Sequence, residues 1–545
     1  MKTRFRAAMA QLHRWAGILF SAMMFFIFLT GTVGYFHYEI DRWMEPERPL
    51  AMDRQASASD PTQTIFSAPS AGGRITVTQA ELVELGFRRL HALAIQDAIW
   101  WGVILPTGRN GNTWIEWQPP RRPDGHRPER RAEYLSFADG EPQWIRPRHT
   151  GGGEALYRLH WKLHYLPETA AYWIVGLCTL LMLVGLVSGV IIHRKIFRDF
   201  FTLRLFRSSR SWLDLHNITS VMSLPFQLMI VYSGLIFFAV TFMTPIVTAQ
   251  YGEDGARTFY REAFPEAEAE PKTGTPAHMV PVVPLLHAAQ AETKTSIGQL
   301  YLLYPGDKNA RLSFYLPETT PGHYRGKPHK ILYRASTGER LEGGNQLYGG
   351  AASVEKTLIA LHEGLFADWR LRWLYIFSGL LGVGMIGTGA IYWLRKRQAR
   401  DRQSFAAVER FYAAVLVGLP IGIAAYFCAN RLIPAHWSER ADWEMHCLFL
   451  AWMLTFAYTW LRPLERIWRG LLLLAATAWS LVPLVNAVTS NRHLGISLAN
   501  GDRVLAGFDL SAIAVAIAFG LLAIYGYRRA YRSNGIGSRA VAAEG

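Results

Sequence analysis

The apolar residues of this chain are gathered in long runs, and polar residues fill the segments between them. Eight runs are each about 20 residues long, the length of α-helix that crosses a hydrocarbon core of about 30 Å. They cover residues 16–36, 171–192, 217–241, 372–394, 408–427, 444–461, 468–489 and 506–527. The pattern predicts an all-α polytopic membrane protein with eight transmembrane helices.

The first run follows the basic residues Lys2, Arg4 and Arg6, as the apolar core of a signal peptide would. This run is longer than the core of a cleaved signal, and no small-x-small cleavage site follows it. We therefore expect it to remain in the protein as the first helix.

Two polar segments, 37–170 and 242–371, separate the first four runs. Each contains a helical pattern followed by three strand-like runs. In the first segment these are residues 78–93, 98–105, 112–118 and 133–138, and in the second they are 283–291, 298–304, 310–316 and 330–335. The segments predict two small α+β domains outside the membrane, at about 75–150 and 276–345.

The first four helices carry an internal duplication, which begins with a repeated Leu-His pair. His13 opens the first helix and Gly31 follows it by 18 residues, and His216 opens the third helix with Gly234 again 18 residues later. Such self-similarity at fixed spacing is typical of duplicated architectures.

The second and fourth helices repeat as well. His164 lies 24 residues after Gly140, and His362 lies 24 residues after Gly338. Ser188-Gly189 in the second helix corresponds to Thr388-Gly389 in the fourth. The unit of helix, outer domain, Leu-His and helix therefore occurs twice within residues 1–400, and residues 405–530 form a separate module of four helices.

Basic residues mark one side of the membrane. They are concentrated in the short segments 194–210, 395–402, 462–469 and 528–532. The positive-inside rule places these segments and both termini in the cytoplasm, with the two long segments in the periplasm of a bacterial inner membrane. Because topology explains the net charge of +15, the charge is not evidence for a nucleic-acid partner.

The rest of the sequence offers little chemistry. Cys178, Cys428 and Cys447 lie in or beside apolar runs, as buried structural thiols do, and none belongs to a CxxC or CxxCH motif. Nucleotide-binding and hydrolase motifs are also missing from the sequence, so we assign no catalytic side chain.

The duplicated histidines fit haem iron, which two neutral imidazoles on facing helices hold in b-type cytochromes. Their repeat positions predict two haem b groups, with His13 and His216 as axial ligands at the inner face. His164 and His362 are the expected ligands at the outer face. Two alternatives stay open: His160, which shares the face of His164 if the stretch is helical, and His193, which ends the second helix near the inner pair.

These motifs resemble the PepSY-associated transmembrane family. The resemblance rests on Leu12-His13-Arg14-Trp15, the Thr/Ser-Gly helices, the segment from Arg210 to Asn217 and Leu361-His362-Glu363-Gly364. It covers about residues 1–400 and implies that the outer domains are PepSY-like. Some members are similar to haem-containing inner-membrane ferrisiderophore reductases.

The resemblance implies that electrons move from a cytoplasmic or quinol donor to a ferric siderophore in the periplasm. Two other functions are compatible with the bundle: a transporter or permease without haem, and a sensor or assembly protein whose periplasmic domains bind a partner. The matched histidines favour the haem protein, because neither alternative requires them.

Overall fold

The computed structural model of the chain describes residues 2–56, 64–107, 109–123, 128–193, 210–253, 255, 258–259, 262, 270–317, 330–341 and 350–541. Most of the predicted basic segment 194–210 lies outside the described residues. The chain forms two compact units. One comprises Met1–Pro46, Arg148–Phe238 and Arg372–Gly545, and the other comprises Glu47–Pro147 and Ala239–Leu371.

The first unit is helical. Its helices are α1 (Lys2–Gly34), α2 (His37–Met44), α4 (Gly152–Lys162), α5 (Glu168–Ile192), α6 (Arg210–Phe237), α10 (Trp369–Gln398), α11 (Ala406–Leu416), α12 (Gly418–Leu432), α13 (Arg440–Leu461), α14 (Leu464–Thr489), α15 (Leu494–Ala499) and α16 (Arg503–Val541). The first turn of α10 lies just before the unit's third segment, which begins at Arg372. The second unit contains α3 (Gln79–Ala92), α7 (Ala239–Tyr251), α8 (Val282–Thr293) and α9 (Gly350–Glu363).

Seven helical segments in the described part of the chain are long and apolar enough to cross a membrane. They are Arg4–Gly34, Glu168–Ile192, Ser211–Phe237, Trp369–Gln398, Ala406–Leu432, Leu464–Thr489 and Arg503–Tyr525. The eighth predicted run, 444–461, lies in α13, whose first turns carry Asp442, Glu444 and His446. α13 is not among the seven, so the count of eight crossings stays a prediction.

The four long helices of the duplicated part pack as a ring. α1 contacts α5 through His13 and Gly185, and it contacts α10 through Thr32 and Gly379. α6 also lies against α10, because the Gln227 side-chain amide donates to the Ser378 carbonyl at 3.1 Å. α6 lies against α5, where the Asn217 side-chain amide donates to His193 Nε2 at 3.2 Å. Since α1 and α6 each contact both α5 and α10, they occupy opposite corners of the bundle.

The last helices are joined to this bundle by buried polar groups, although the sequence presented them as a separate module. Arg440 and Glu444 form an ion pair at 3.1 Å, and both side chains are 0% exposed. Glu444 also accepts from the Gly151 backbone N–H at 3.1 Å, just before α4 begins. Removing either partner of such a buried pair typically costs about 3–5 kcal/mol. α13 therefore fixes the start of the short helix α4.

A second buried contact ties α2 to the same helices. Arg431 lies over the Trp43 ring, with the guanidinium carbon 3.9 Å from the ring centre. The Trp43 indole donates to Asp509 at 2.9 Å, and Arg431 donates to the Asn486 side chain at 2.8 Å. Such polar groups are costly to bury unless they are paired, and here each has a partner.

The second unit contains two antiparallel sheets. The smaller is formed by β1 (Asp53–Ala56), β2 (Thr64–Ser70) and β3 (Gly73–Thr78). The larger is formed by β4 (Trp100–Ile104), β5 (Trp114–Gln118), β6 (Arg131–Ser136), β7 (Gln143–Ile145), β8 (Gln299–Leu303), β9 (Arg311–Tyr315), β10 (Lys330–Arg334) and β11 (Arg340–Leu341). Its strand order is β11-β10-β9-β8-β4-β5-β6-β7.

The six predicted strands are observed as β4, β5, β6, β8, β9 and β10, and β1, β2, β3, β7 and β11 are additional. The two halves share one large sheet: each supplies four strands to it and one helix to its core, and β4 pairs with β8 in the register Trp100↔Leu303. One continuous apolar core joins Leu82 of α3, Leu286 of α8 and alternate residues of the large sheet. α3 starts where expected, because Thr78 and Glu81 form a reciprocal capping box.

Candidate functional site

His13 and His216 face each other from opposite corners of the helix bundle. Their ring centres are 6.3 Å apart and their planes are inclined by 63°. Both residues lie in the N-terminal part of a long helix, α1 and α6 respectively. We refer to this part of the bundle as the His13 end. The structure thus brings together two side chains that are 203 positions apart in the sequence.

Backbone carbonyls on the neighbouring helices orient both rings. His13 Nδ1 lies 2.9 Å from the Gly185 carbonyl of α5, and His216 Nδ1 lies 2.8 Å from the Met385 carbonyl of α10. A carbonyl can only accept, so each Nδ1 carries the proton and each Nε2 presents a lone pair. Metal-bound histidines are commonly oriented through this kind of bond from the second ring nitrogen.

Glycines on α5 and α10 make room for the two rings. A Cβ atom at Gly189 would lie 3.2 Å from His13 Cε1, and one at Gly389 would lie 3.0 Å from His216 Cε1. Both distances are tighter than ordinary van der Waals contact, so a larger residue would displace the imidazole. Beside them, Gly17 and Gly185 border open space. The repeated Ser/Thr-Gly pairs therefore contact the histidines directly.

His160 lies in the last turn of α4 and packs against α1. A Cβ atom at Gly31 would lie 3.5 Å from its Cγ, an ordinary contact. The His160 Nδ1 atom is hydrogen-bonded to the Tyr157 carbonyl in the same helix. Burial is the main reason that the pKa of His160 falls to about 4. The ring is therefore a neutral imidazole at neutral pH.

His164 does not share a helical face with His160, as a continuous helix would require. α4 ends at Lys162, and Leu163 adopts a left-handed conformation with φ of 48°. His164 follows this break and is exposed. Its ring centre is 6.4 Å from that of His446 and 6.0 Å from that of Phe449. Within the described part of the chain, no hydrogen bond orients the His164 ring, in contrast to His13 and His216.

His362 lies in α9 of the second unit. It is in the last turn of that helix, two residues before Gly364, which has φ of 61°. His160 lies three residues before the left-handed Leu163 at the corresponding helix end. His362 therefore matches His160 in local geometry more closely than it matches His164.

His193 caps the C-terminus of α5 at the His13 end. The Asn217 side-chain amide donates to His193 Nε2 at 3.2 Å. Because Asn217 occupies this nitrogen, His193 is a poorer candidate for a metal ligand than His13 or His216. Arg6, which in the sequence is only a basic flank of the first apolar run, donates to the Ile192 carbonyl at 2.7 Å and lies next to His193. Arg6 could have been identified from the sequence because it lies seven residues, or about two helical turns, before His13 and therefore on the same face of α1.

No curated protein matches the chain at a significant level. The model of one protein family, described as the PepSY-associated TM region, matches residues 10–396. The match spans the duplicated helices, both sheets of the second unit and all the histidines discussed above except His446. It ends where the last helices begin, at the boundary that the repeat predicted. The chain is a membrane protein that belongs to the family of PepSY-associated transmembrane regions.

Proposed function

We propose that this chain is a di-haem b-type oxidoreductase that moves electrons across the bacterial inner membrane and reduces Fe(III)-siderophore in the periplasm. The observation that carries the proposal is the facing pair of His13 and His216. The family match supports a membrane protein of this kind.

The His13–His216 pair suits a single metal ion. Two metal–imidazole bonds of about 2 Å each, with about 1 Å from each ring nitrogen to its ring centre, give about 6 Å between the ring centres. The observed separation is 6.3 Å, and each ring has its Nε2 lone pair available. The His164–His446 pair has a similar separation of 6.4 Å, but among the described residues no carbonyl orients either ring and no glycine contacts it.

The two imidazoles would leave most of the coordination shell to another ligand. Within the described part of the chain, no group of three or more His, Cys, Asp and Glu side chains is placed to hold a metal ion. Two facing imidazoles therefore suit an iron whose remaining ligands belong to a porphyrin. A Cβ atom at Gly17 or Gly185 would meet no atom within 4 Å, so neither position obstructs such a ring.

We assign an axial ligand of the second haem to His160. The duplication predicts His362 as its counterpart in the second half, and each of the two residues lies in the last turn of a short helix before a long one. His160 is preferred to His164 because it is enclosed by α1, whereas His164 is exposed beyond the helix end.

Haem, when bound, supplies a one-electron carrier. The protein's part is to orient each imidazole so that Nε2 faces the iron, and at the His13 end the Gly185 and Met385 carbonyls fix the ring orientations. Transfer of an electron to Fe(III) needs no acid–base residue. The resulting Fe(II) is softer and less charged, so oxygen-rich siderophore ligands hold it less tightly.

The orientation follows from the basic segments. With both termini in the cytoplasm, the His13 end lies near the cytoplasmic side, and the second unit is periplasmic. α13 then provides the eighth crossing. The two halves of the second unit, at about 75–150 and 276–345, correspond to PepSY-like domains and form the docking surface for the siderophore. A cytoplasmic or quinol donor supplies the electrons.

A visible spectrum of the purified full-length protein from haem-replete membranes tests the cofactor. We expect a reduced-minus-oxidised difference band near roughly 560 nm and two haems per chain. A preparation without this band would reject the haem proposal and favour the transporter or the sensor.

The substrate class can be tested with sealed membrane vesicles in which the haem of the protein has been reduced. Adding a ferric siderophore on the periplasmic side should re-oxidise the haem band, whereas the gallium(III) complex of the same siderophore, which cannot be reduced, should leave it unchanged. Equal spectra with the two complexes would reject ferric reduction even if haem is present.

A further inference from the structure

Three polar side chains meet the C-terminal end of α5, near His13 and His216. Arg6 precedes His13 by seven residues, so it lies on the same face of α1, about 10 Å further along the helix. His193 ends α5, four residues after Gly189, the residue that contacts His13. Asn217 follows His216 on α6. We call Arg6, His193 and Asn217 the inner polar layer.

Hydrogen bonds connect the layer to the bundle. The Arg6 guanidinium donates to the Ile192 carbonyl at 2.7 Å, and the Asn217 amide donates to His193 Nε2 at 3.2 Å. Because Nε2 accepts, the proton of the neutral His193 ring is on Nδ1. These bonds place the Arg6 guanidinium and the His193 ring each at the C-terminal end of α5.

Two donors in this layer lack an acceptor. Arg6 Nε and His193 Nδ1 are both buried, and neither has a hydrogen-bond partner in the described part of the chain. Buried donors are nearly always paired in native proteins, because leaving one unpaired costs its full desolvation. The Nε–H of a positive guanidinium and an imidazole N–H, both without an acceptor, call for an anion with at least one free oxygen.

We propose that Arg6 and His193, steadied by Asn217, bind a propionate carboxylate of the haem that His13 and His216 hold. The inference rests on the proposed function. A carboxylate offers lone pairs to several donors at once, and a guanidinium matches its geometry better than an ammonium does. His193 then has the role of a propionate ligand and not of an alternative iron ligand.

The test compares iron protoporphyrin IX with its dimethyl ester, in which both carboxylates are blocked. Each is titrated into purified haem-free full-length protein carrying His160→Ala, so that the His13 end is the site measured, and affinity is read from the Soret band. We expect the free acid to bind about tenfold more tightly than the ester, or better, in protein with Arg6 intact. Arg6→Gln should weaken binding of the acid and bring the two affinities close together.

Arg4→Gln is the matched control. Arg4 lies nine residues before His13, on the opposite side of α1, and it is exposed. This variant should keep the full preference for the free acid. His193→Phe, which keeps a ring but removes the donor, should lose part of that preference and provides a second readout should Arg6→Gln fold poorly.

Two results would overturn the inference. Arg6→Gln and His193→Phe proteins that keep the preference of the parent would show that the layer does not contact the carboxylates. Equal loss of affinity for acid and ester in both variants would show a role in folding alone. A parent protein that binds neither compound is a different result, because it rejects the proposed function as well.

Discussion

The two ends of the duplicated bundle hold their histidines by different means. At the His13 end, each imidazole sits on a long helix and is hydrogen-bonded to a carbonyl of a neighbouring long helix. His160 instead sits on the short helix α4 and is hydrogen-bonded within its own turn. The position of His13 and His216 therefore depends on packing of the long helices. That of His160 depends on where α4 is held, which involves Glu444 of α13.

The family match ends at residue 396, yet later residues still contact the segment that leads into α4 and His160. The carbonyls and glycines that position His13 and His216 belong to α5 and α10, within the matched part. The last helices act elsewhere, because Glu444 fixes the backbone at Gly151, just before α4. One end of the bundle is thus positioned within the duplicated part, and the other relies on the C-terminal helices.

Removing an imidazole from the His13 end should have the largest effect. His216→Ala deletes one of the two facing rings, so we expect loss of about half of the bound haem, measured as the pyridine haemochrome per chain. The matched control is Arg4→Gln, which changes an exposed residue on the opposite side of α1 and should keep the full haem content. Full haem content in the His216→Ala protein would contradict the assignment.

Variants of His160 and His164 should separate the two candidates at the other end. His160→Ala is expected to remove the second half of the haem, because its ring is enclosed against Gly31. His164→Ala should retain at least most of it, since that ring is exposed after the break at Leu163. Haem content and the reduced spectrum of both proteins measure the difference. The reverse pattern would restore His164 as the ligand.

Substitution of the glycines that contact His13 and His160 should have a smaller effect on haem binding, and the effect should differ between the two ends. Gly189→Ala places a methyl group 3.2 Å from His13, whereas Gly31→Ala places one 3.5 Å from His160. Only the first distance requires the ring to move, so we expect Gly189→Ala to weaken haem binding by a few-fold to about tenfold. Gly31→Ala should bind haem as the parent does. Equal affinities of the two variants would show that the close contact has no influence.

Much of this organisation could be predicted from the sequence. The apolar runs located seven helical segments that are long and apolar enough to cross a membrane, because helix length and hydropathy are local properties. The strand-like runs located six of the eleven described strands to within two residues, and the repeat selected His13 and His216. Their orienting carbonyls could not be predicted, because every residue has a carbonyl and only packing decides which one meets a ring.

The choice between His160 and His164 depended on one backbone angle. Leu163 has φ of 48°, a conformation that is rare for residues other than glycine, and nothing in the local pattern indicates it. At the equivalent place in the second half the chain has Gly364, and glycine commonly ends a helix, so the end of α9 could be predicted there. The pairing of β4 with β8 could not be predicted either, because it joins segments about 200 residues apart.

That pairing has a consequence for how the protein is made. β4 is synthesised about 200 residues before β8, and at about 5–20 residues per second its edge stays unpaired for on the order of 10–40 seconds. An open edge strand is a template for pairing with other chains. The first half of the second unit therefore passes through an aggregation-prone stage at every round of synthesis. Truncation between the halves would make that stage permanent.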